Sequence, residues 1–361
     1  MKPSINWLLA FIPVAVVLEH LGTSPEPLIF FSAALGIVPI AGLIVRSTEQ
    51  IAVRTGDAIG GLLNATFGNL PELIITTVAL RAGYLDMVRA SIIGVILANL
   101  LLALGLSFLF GGLRYKTQLY NAGASRVYSS MMLLAAMSIV VPSTFSRYFA
   151  PEETMREEQM LNLGIAGLLL LAYVFYLVFS LKTHPGAFAS NDAHSSEHGH
   201  HGEGPLWSVP RAVVSLVVAS VLAAWLSEIL VGAAEGTGNA LGMSEIFMGI
   251  VLLAIVGSAA ESSSAIAVAM KNKMDLTIGI ALGSSIQIAL FVAPMLVFAS
   301  YFIAPQPLEL SFNRAEIGSL FLAVLIGTVV CADGQTNWFK GVQLTVFYLI
   351  IAMMFYFMPA A

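Results

Sequence analysis

The sequence predicts an all-α membrane protein of about eleven transmembrane helices, arranged as one N-terminal helix followed by two inverted five-helix repeats. Composition points to the membrane class first. Hydrophobic residues make up 58% and charged residues only 10% of the 361 residues, and the mean hydropathy is +0.88. A soluble domain carries about 25% charged residues. Apolar runs of about 20 residues, the length that crosses a bilayer as a helix, recur along almost the whole chain. An ordinary soluble globular domain is therefore excluded.

The apolar runs predict where each helix lies. The run Leu161–Leu181 is apolar on every face, whereas a transmembrane β-barrel would show alternating segments of about ten residues. Glu19 and His20 interrupt the first run and no small-residue cleavage site follows, so this run is predicted to be a retained helix rather than a signal peptide. The predicted spans are residues 6–22, 27–46, 58–81, 87–111, 127–142, 161–181, 209–233, 245–270, 275–302, 315–331 and 341–358.

A polar stretch divides the chain. It runs from residue 182 to residue 210 and contains five of the six histidines. The predicted segments are an N-terminal transmembrane helix (1–24), a first transporter half (25–183), a histidine-rich cytoplasmic linker (184–208) and a second transporter half (209–361). Histidine tracts can bind transition metals and titrate near neutral pH. The linker is thus predicted to be either a solvated, flexible connection or a sensor of metal or pH.

The distribution of basic residues predicts the orientation. With eleven spans, eleven of the 16 lysines and arginines fall on the side of the amino terminus. Because loops rich in Lys and Arg stay in the cytoplasm, the amino terminus and the linker are predicted to be cytoplasmic. We therefore expect a multi-pass protein of a bacterial or archaeal inner membrane.

An internal repeat relates the two halves. A constant offset of 189 residues pairs special residues of the first half with identical residues of the second. Glu72 lies in the third predicted span and Glu261 in the eighth, and this odd separation reverses the direction of the second copy. Inverted repeats with ion sites near the midplane are characteristic of secondary transporters. The pairs are Gly60 and Gly249, Gly68 and Gly257, Glu72 and Glu261, Asp86 and Asp275, and Gly94 and Gly283.

The first copy of the repeat carries oxygen ligands within an apolar helix. Asn69 and Glu72 are three residues apart and share a helix face. Pro71 has no N–H, so the carbonyl of Phe67 is predicted to lose its usual helical partner. Calcium binds six to eight oxygens from carboxylates, amides, backbone carbonyls and water. This motif offers each kind.

The second copy carries another intramembrane carboxylate. Glu261 follows Ser258, which stands where the first copy has Asn69 and is likewise a candidate oxygen ligand. A charge at the bilayer centre costs at least ~2.5 kcal/mol, so such acids are rare and usually functional. The following helix of each copy adds an amide, Asn99 or Gln287, which can ligate a cation or form an interhelical hydrogen bond. Small residues on these helices are predicted to permit close helix contact: Gly94, Gly105, Gly279, Gly283, Ser284 and Ser285.

Both motifs resemble the CAX-type calcium/proton exchangers of the cation/calcium exchanger superfamily. The resemblance rests on GGLLNATFGNLPEL at residues 60–73 and GSSIQIALFV at residues 283–292, and it spans nearly the whole chain. It implies that Glu72 and Glu261 bind the cation and exchange protons, with Asn69, Asn99 and Gln287 as supporting ligands. One departure concerns the second motif. The family usually has Gly-Asn-x-x-Glu-His there, whereas this chain has Ser258 and Ser262 at the Asn and His positions.

The predicted function is calcium/proton antiport, in which two glutamates bind either one divalent cation or protons. A sodium-driven exchanger, or one for manganese or another divalent cation, is the alternative, and a channel fits two lone glutamates less well. An enzyme is not predicted, because His-Glu-x-x-His, Gly-x-Ser-x-Gly and P-loop motifs are missing from the sequence. The expected partners are the lipid bilayer, calcium and protons, with no cofactor and no nucleic acid. Self-assembly into a homo-oligomer stays open.

Overall fold

Helices make up nearly all of the structure, a computed structural model that describes residues 5–22, 24–55, 57–148, 155–188 and 206–358. Within these ranges, eight helices are long and apolar enough to cross a membrane. Two three-residue strands, β1 (Thr117–Leu119) and β2 (Gln335–Asn337), pair antiparallel. The predicted helical, multi-pass membrane class is confirmed.

The helices follow the predicted order. Short 3₁₀ turns lie at Ile5–Ala10 and Pro185–Phe188, and π-helical segments interrupt or extend several α-helices at Ala98–Ala103, Phe179–Thr183, Met248–Leu253 and Ile288–Val292. The α-helices are α1 (Phe11–Leu21), α2 (Glu26–Ala52), α3 (Asp57–Phe67), α4 (Leu70–Arg81), α5 (Leu85–Leu97), α6 (Leu104–Tyr115), α7 (Ala122–Tyr148), α8 (Met155–Val178), α9 (Val209–Gly232), α10 (Ala234–Leu241), α11 (Glu245–Phe247), α12 (Ala254–Ala269), α13 (Met274–Gln287), α14 (Ala293–Ile303), α15 (Arg314–Val330) and α16 (Trp338–Tyr356).

Three of the predicted spans differ from the other eight in length or continuity. The helical segment Ile5–Leu21 is apolar but short. The helix α15 has 17 residues, and the third predicted span is divided into α3 and α4. Helical structure therefore covers each predicted span, while the number of eleven membrane crossings stays a prediction.

The chain forms two compact units. The first contains residues 1–94, 200–260 and 352–361, and the second contains residues 95–199 and 261–351. Each unit thus takes segments from both halves of the sequence. Three of the boundaries fall within helices: in α5 after Gly94, in α12 after Ala260 and in α16 after Ile351.

In the first unit, α2 packs against α9. Gln50, near the end of α2, accepts a hydrogen bond through Oε1 from the backbone N–H of Trp207, which precedes α9, at 2.8 Å. Nearer the start of α2, a Cβ added to Gly36 would lie 3.4 Å from Cδ1 of Leu226, in the second half of α9. The end of α2 thus lies beside the start of α9, and the first half of α2 lies beside the second half of α9, so the two helices are antiparallel. Their opposite directions are those expected for corresponding helices of an inverted repeat.

Glycines permit a close backbone approach between α5 and the π-helical segment Met248–Leu253, also in the first unit. A Cβ added to Gly94 would overlap the backbone carbonyl of Ile250, and one added to Gly249 would overlap the carbonyl oxygen of Met87. The prediction of a close contact at Gly94 is confirmed. The corresponding prediction for Gly283 is wrong, because a Cβ there would meet no described atom within 4 Å. The surroundings of the two glycines differ although the sequence offset pairs them.

In the second unit, α13 packs against the π-helical segment Ala98–Ala103, and α15 packs against α7. The side chain of Asn162 in α8 forms hydrogen bonds with the backbone of the loop before α15. Its Nδ2 donates to the Leu308 carbonyl, and its Oδ1 accepts from the backbone N–H of Leu310, both at 2.9 Å. These paired hydrogen bonds satisfy backbone groups of a buried, non-helical segment, as an apolar environment requires.

Candidate ion-binding site

The first repeat motif lies at a helix break. The helix α3 ends at Phe67 and α4 begins at Leu70, with Pro71 in its first turn. Proline is favoured there because it lacks the N–H that would otherwise stay unbonded. The predicted disturbance at Phe67 is therefore present as a complete interruption. Glu72 lies in the first turn of α4, where the helix dipole favours a negative charge.

Both polar side chains of this motif are buried. Glu72 is 3% exposed and Asn69 is 2% exposed. Asn69 precedes α4, yet its side chain makes no capping hydrogen bond to that helix. An asparagine in this position usually caps the helix. Capping of α4 therefore does not account for the buried amide of Asn69.

Glu72 lies against the second repeat motif. A Cβ added to Gly257 would stand 3.1 Å from Cγ of Glu72, so glycine at this position leaves room for the glutamate. The next residue, Ser258, is 1% exposed, and its hydroxyl donates to the Ala254 carbonyl at 2.7 Å. The hydroxyl oxygen keeps lone pairs that could bind a cation.

The second motif has a different backbone. Glu261 lies within the uninterrupted helix α12. Polar side chains from two other helical segments, Ser284 of α13 and Asn99, interact with its carboxyl group. Its Oε2 atom is buried and has no hydrogen-bond partner among the described residues. A buried carboxylate oxygen with unused acceptor capacity can accept a proton or ligate a cation.

The two amides expected to support the site are associated with π-helical segments. Asn99, which is 1% exposed, lies in the segment Ala98–Ala103, and Gln287 directly precedes the segment Ile288–Val292. The offset of 189 residues brings these two segments into register. Such insertions in α-helices occur frequently at functional sites. The sequence reasoning did not predict them.

The six predicted site residues are distributed over both compact units. The first unit contains Asn69, Glu72 and Ser258, and the second contains Asn99, Glu261 and Gln287. Within the units, the structure brings Glu72 to the Gly257–Ser258 segment and Asn99 to Glu261. Among the described residues, no group of three or more His, Cys, Asp or Glu side chains could hold a metal ion.

Ser284 is the residue that the sequence reasoning missed. The sequence groups it with small residues that allow helices to approach, whereas the structure places it at the Glu261 carboxyl group. Its position next to Gly283 in the second helix of the repeat was the available signal. Its neighbour Ser285 instead donates to the Ala281 carbonyl at 2.9 Å, within its own helix.

Comparison with known proteins agrees with this architecture. The model of the family described as sodium/calcium exchanger protein matches residues 26–182 and 211–357. The chain belongs to this family. A Ca(2+)/H(+) antiporter of Aphanothece halophytica is 40% identical over 98% of this chain and 96% of that protein. The Ca(2+)/H(+) antiporter ChaA of Bacillus subtilis is 40% identical over 96% of this chain and 97% of its own length.

Solved structures of the exchanger family share the fold. The structure of native YfkE matches with a TM-score of 0.84 and 35% identity, covering 98% of this chain and all of that one. The crystal structure of the H+/Ca2+ exchanger CAX matches with a TM-score of 0.70 and 13% identity, covering 97% of this chain and 91% of the other. At that identity the second match supports the fold alone.

Ser284 provides a test of the site in this exchanger family member. We expect Ser284→Ala to weaken the apparent calcium affinity by about tenfold, since a hydrogen bond to a charged group contributes ~1.5 kcal/mol or more. Ser285→Ala is the matched control and should have little effect, because Ser285 bonds to its own helix. The measurement is the calcium dependence of uptake into vesicles. Equal affinities for the two variants would contradict a role for Ser284.

Proposed function

We propose that this protein is a secondary active transporter that exchanges Ca²⁺ for H⁺ across the membrane by alternating access. The observation that carries the proposal is the position of Glu72, a carboxylate that is 3% exposed and lies against Gly257. Gly257 precedes Glu261 by one turn of α12. The full-length similarity to proteins described as Ca(2+)/H(+) antiporters supports the same function.

The proposed chemistry is competition at two carboxylates. Glu72 and Glu261 together would neutralise one Ca²⁺, and the same two groups would each take up a proton when calcium leaves. Amide and hydroxyl oxygens complete the coordination of a cation that prefers six to eight oxygen ligands. Either loaded state avoids two bare charges in an apolar site, which would be costly. These supporting oxygens belong to Asn69, Asn99, Gln287 and Ser258.

The proposed layout is that of eleven membrane helices, one at the amino terminus and five in each inverted repeat. The antiparallel packing of α2 and α9 supports the inversion. The segments 25–183 and 209–361 would be the two halves, preceded by the helix of residues 1–24 and joined by the linker of residues 184–208. Alternating access in such folds occurs largely by rocking of one helix group against another around a fixed site.

Purified protein in vesicles tests the proposed exchange. We expect a vesicle with an acidic lumen to accumulate radioactive calcium, because protons leaving the lumen drive calcium in. A protonophore that collapses the pH gradient should stop the uptake. A sodium gradient that drives uptake without a pH gradient would contradict proton coupling. Because Ser258 and Ser262 replace the Asn and His of the family motif, competition by manganese is measured in parallel.

The proposed orientation places the amino terminus and the linker in the cytoplasm. Residues 189–205 of the linker lie outside the described part of the structure. We expect a cysteine at position 195, made by Ser195→Cys, to resist a membrane-impermeant thiol reagent in intact cells. A cysteine at exposed Gln306, in a loop predicted to be outside, should react. The native Cys331 is buried and gives a low background. The reverse pattern would overturn the orientation.

A further inference from the structure

Two arginines share one tryptophan ring at the end of the α2–α9 pair. The guanidinium carbon of Arg46, near the end of α2, lies 5.0 Å from the ring centroid of Trp207. The guanidinium carbon of Arg211, in the first turn of α9, lies 4.8 Å from the same centroid. The two cations are therefore at most about 10 Å apart. Each is held by a cation–π contact.

Trp207 is buried and hydrogen-bonded to α2. Trp207 is 8% exposed, and Gln50, which is 3% exposed, accepts its backbone N–H at 2.8 Å. Arg46 and Arg211 are nevertheless exposed. The arrangement therefore presents two positive charges to the surroundings beside one buried, hydrogen-bonded residue.

Few carboxylates lie close enough to balance the positive charge of the two arginines. Neither arginine forms a salt bridge within the described ranges of the chain. Glu49, on α2, is close enough for an electrostatic interaction with Arg46. Among the described residues, no acidic side chain interacts in this way with Arg211. The repulsion between two exposed guanidinium groups at this distance is weak because salt screens it, and an anion bound between them would turn it into attraction. Guanidinium groups bind phosphate with paired hydrogen bonds.

The surrounding surface indicates which phosphate compound fits. Leu43 lies three residues before Arg46, and Val214 lies three residues after Arg211, so each shares a helix face with its arginine. They are 36% and 59% exposed. Both lie on the side of the arginines that is nearer the middle of their helices. A phosphate beside apolar helix faces is the chemistry of a phospholipid at the membrane interface.

We propose that Arg46, Trp207 and Arg211 form a binding site for the phosphate group of an anionic phospholipid, whose acyl chains lie along Leu43 and Val214. The lipid would bridge α2 and α9 at their shared end. The lipid site uses none of the residues of the proposed transport site, so its test does not depend on calcium exchange.

Thermal unfolding in lipid nanodiscs tests the site. We expect the unfolding midpoint of the full chain to rise by about 3 °C or more when phosphatidylglycerol is added to phosphatidylcholine discs, since a ligand bound only to the folded state stabilises it. The variant Arg46→Gln/Arg211→Gln should lose this rise. The matched control Arg54→Gln/Arg126→Gln removes two exposed arginines elsewhere and should keep it.

A conservative variant and a soluble anion complete the design. Arg46→Lys/Arg211→Lys keeps both charges, and we expect it to retain part of the rise while losing the paired hydrogen bonds. Millimolar inorganic phosphate in phosphatidylcholine discs should give a much smaller rise than the lipid. An equal rise with inorganic phosphate would overturn the assignment to a lipid. The site would also be excluded if the glutamine variant were destabilised equally in both lipid mixtures, since its role would then be structural.

Discussion

Glu72→Gln and Glu261→Gln are each expected to abolish proton-driven calcium uptake. Glutamine keeps the size of the side chain but removes its charge and its exchangeable proton. Calcium held by both carboxylates would lose half of its neutralising charge in an apolar site. Removing one partner of a buried ion pair costs roughly 3–5 kcal/mol, which corresponds to a loss of affinity of about 100-fold or more. The measurement is uptake into vesicles with an acidic lumen.

Two controls separate this effect from general damage. Glu→Asp at either position keeps a titratable carboxyl group but shortens its reach, and should weaken exchange without eliminating it. Ser263→Ala, two residues beyond Glu261, should cost far less. Near wild-type exchange by correctly inserted Glu261→Gln protein would show that the paired-carboxylate mechanism is wrong.

Gly94→Ala is expected to destabilise the protein strongly. The new Cβ would overlap the backbone carbonyl of Ile250, and a backbone atom cannot move aside as a side chain can. The helix α5 and the segment Met248–Leu253 would have to separate. Overpacking of this kind costs typically about 1–3 kcal/mol and occasionally more, and here a backbone clash places it at the upper end. The measurement is the thermal unfolding midpoint of purified protein.

The repeat supplies the control for this substitution. Gly283 corresponds to Gly94 by the sequence offset, but no described atom lies within 4 Å of an added Cβ. Gly283→Ala should therefore leave the unfolding midpoint nearly unchanged. Similar midpoints for the two alanine variants would contradict the close contact at Gly94.

The sequence was sufficient to predict the helical membrane fold and a lost backbone hydrogen bond at Phe67, but not the division of the third span into α3 and α4. Apolar runs of about 20 residues predict membrane helices because a helix satisfies its own backbone hydrogen bonds within the bilayer. The effect of Pro71 is predictable because it involves only the carbonyl four residues earlier in the same chain segment. Gly94 and Gly283 show the limit of predicting helix packing from the sequence repeat. Their equivalence in sequence does not extend to their neighbours, since close contacts depend on how distant helices pack.

The same limit applies to the candidate site. Ser284 appeared in the sequence as one small residue among several, and only the packing of α13 places it at Glu261. The π-helical segments at Asn99 and after Gln287 arise from a change in the backbone hydrogen-bond pattern. The residue composition of these segments does not reveal that change. The roles of the six predicted site residues remain predictions for the variants above to test.

The interruption between α3 and α4 has no counterpart in α12. The offset of 189 residues places Gly68 and Asn69 over Gly257 and Ser258, yet only the first pair breaks its helix. A carrier needs two conformations of similar free energy. Two copies of one motif, one broken and one continuous, supply such a pair if the break moves from the first copy to the second. We then expect α12 to break, and α3 and α4 to join, when the transporter faces the opposite side. Breaking and remaking a few main-chain hydrogen bonds would then contribute to the barrier between the two states.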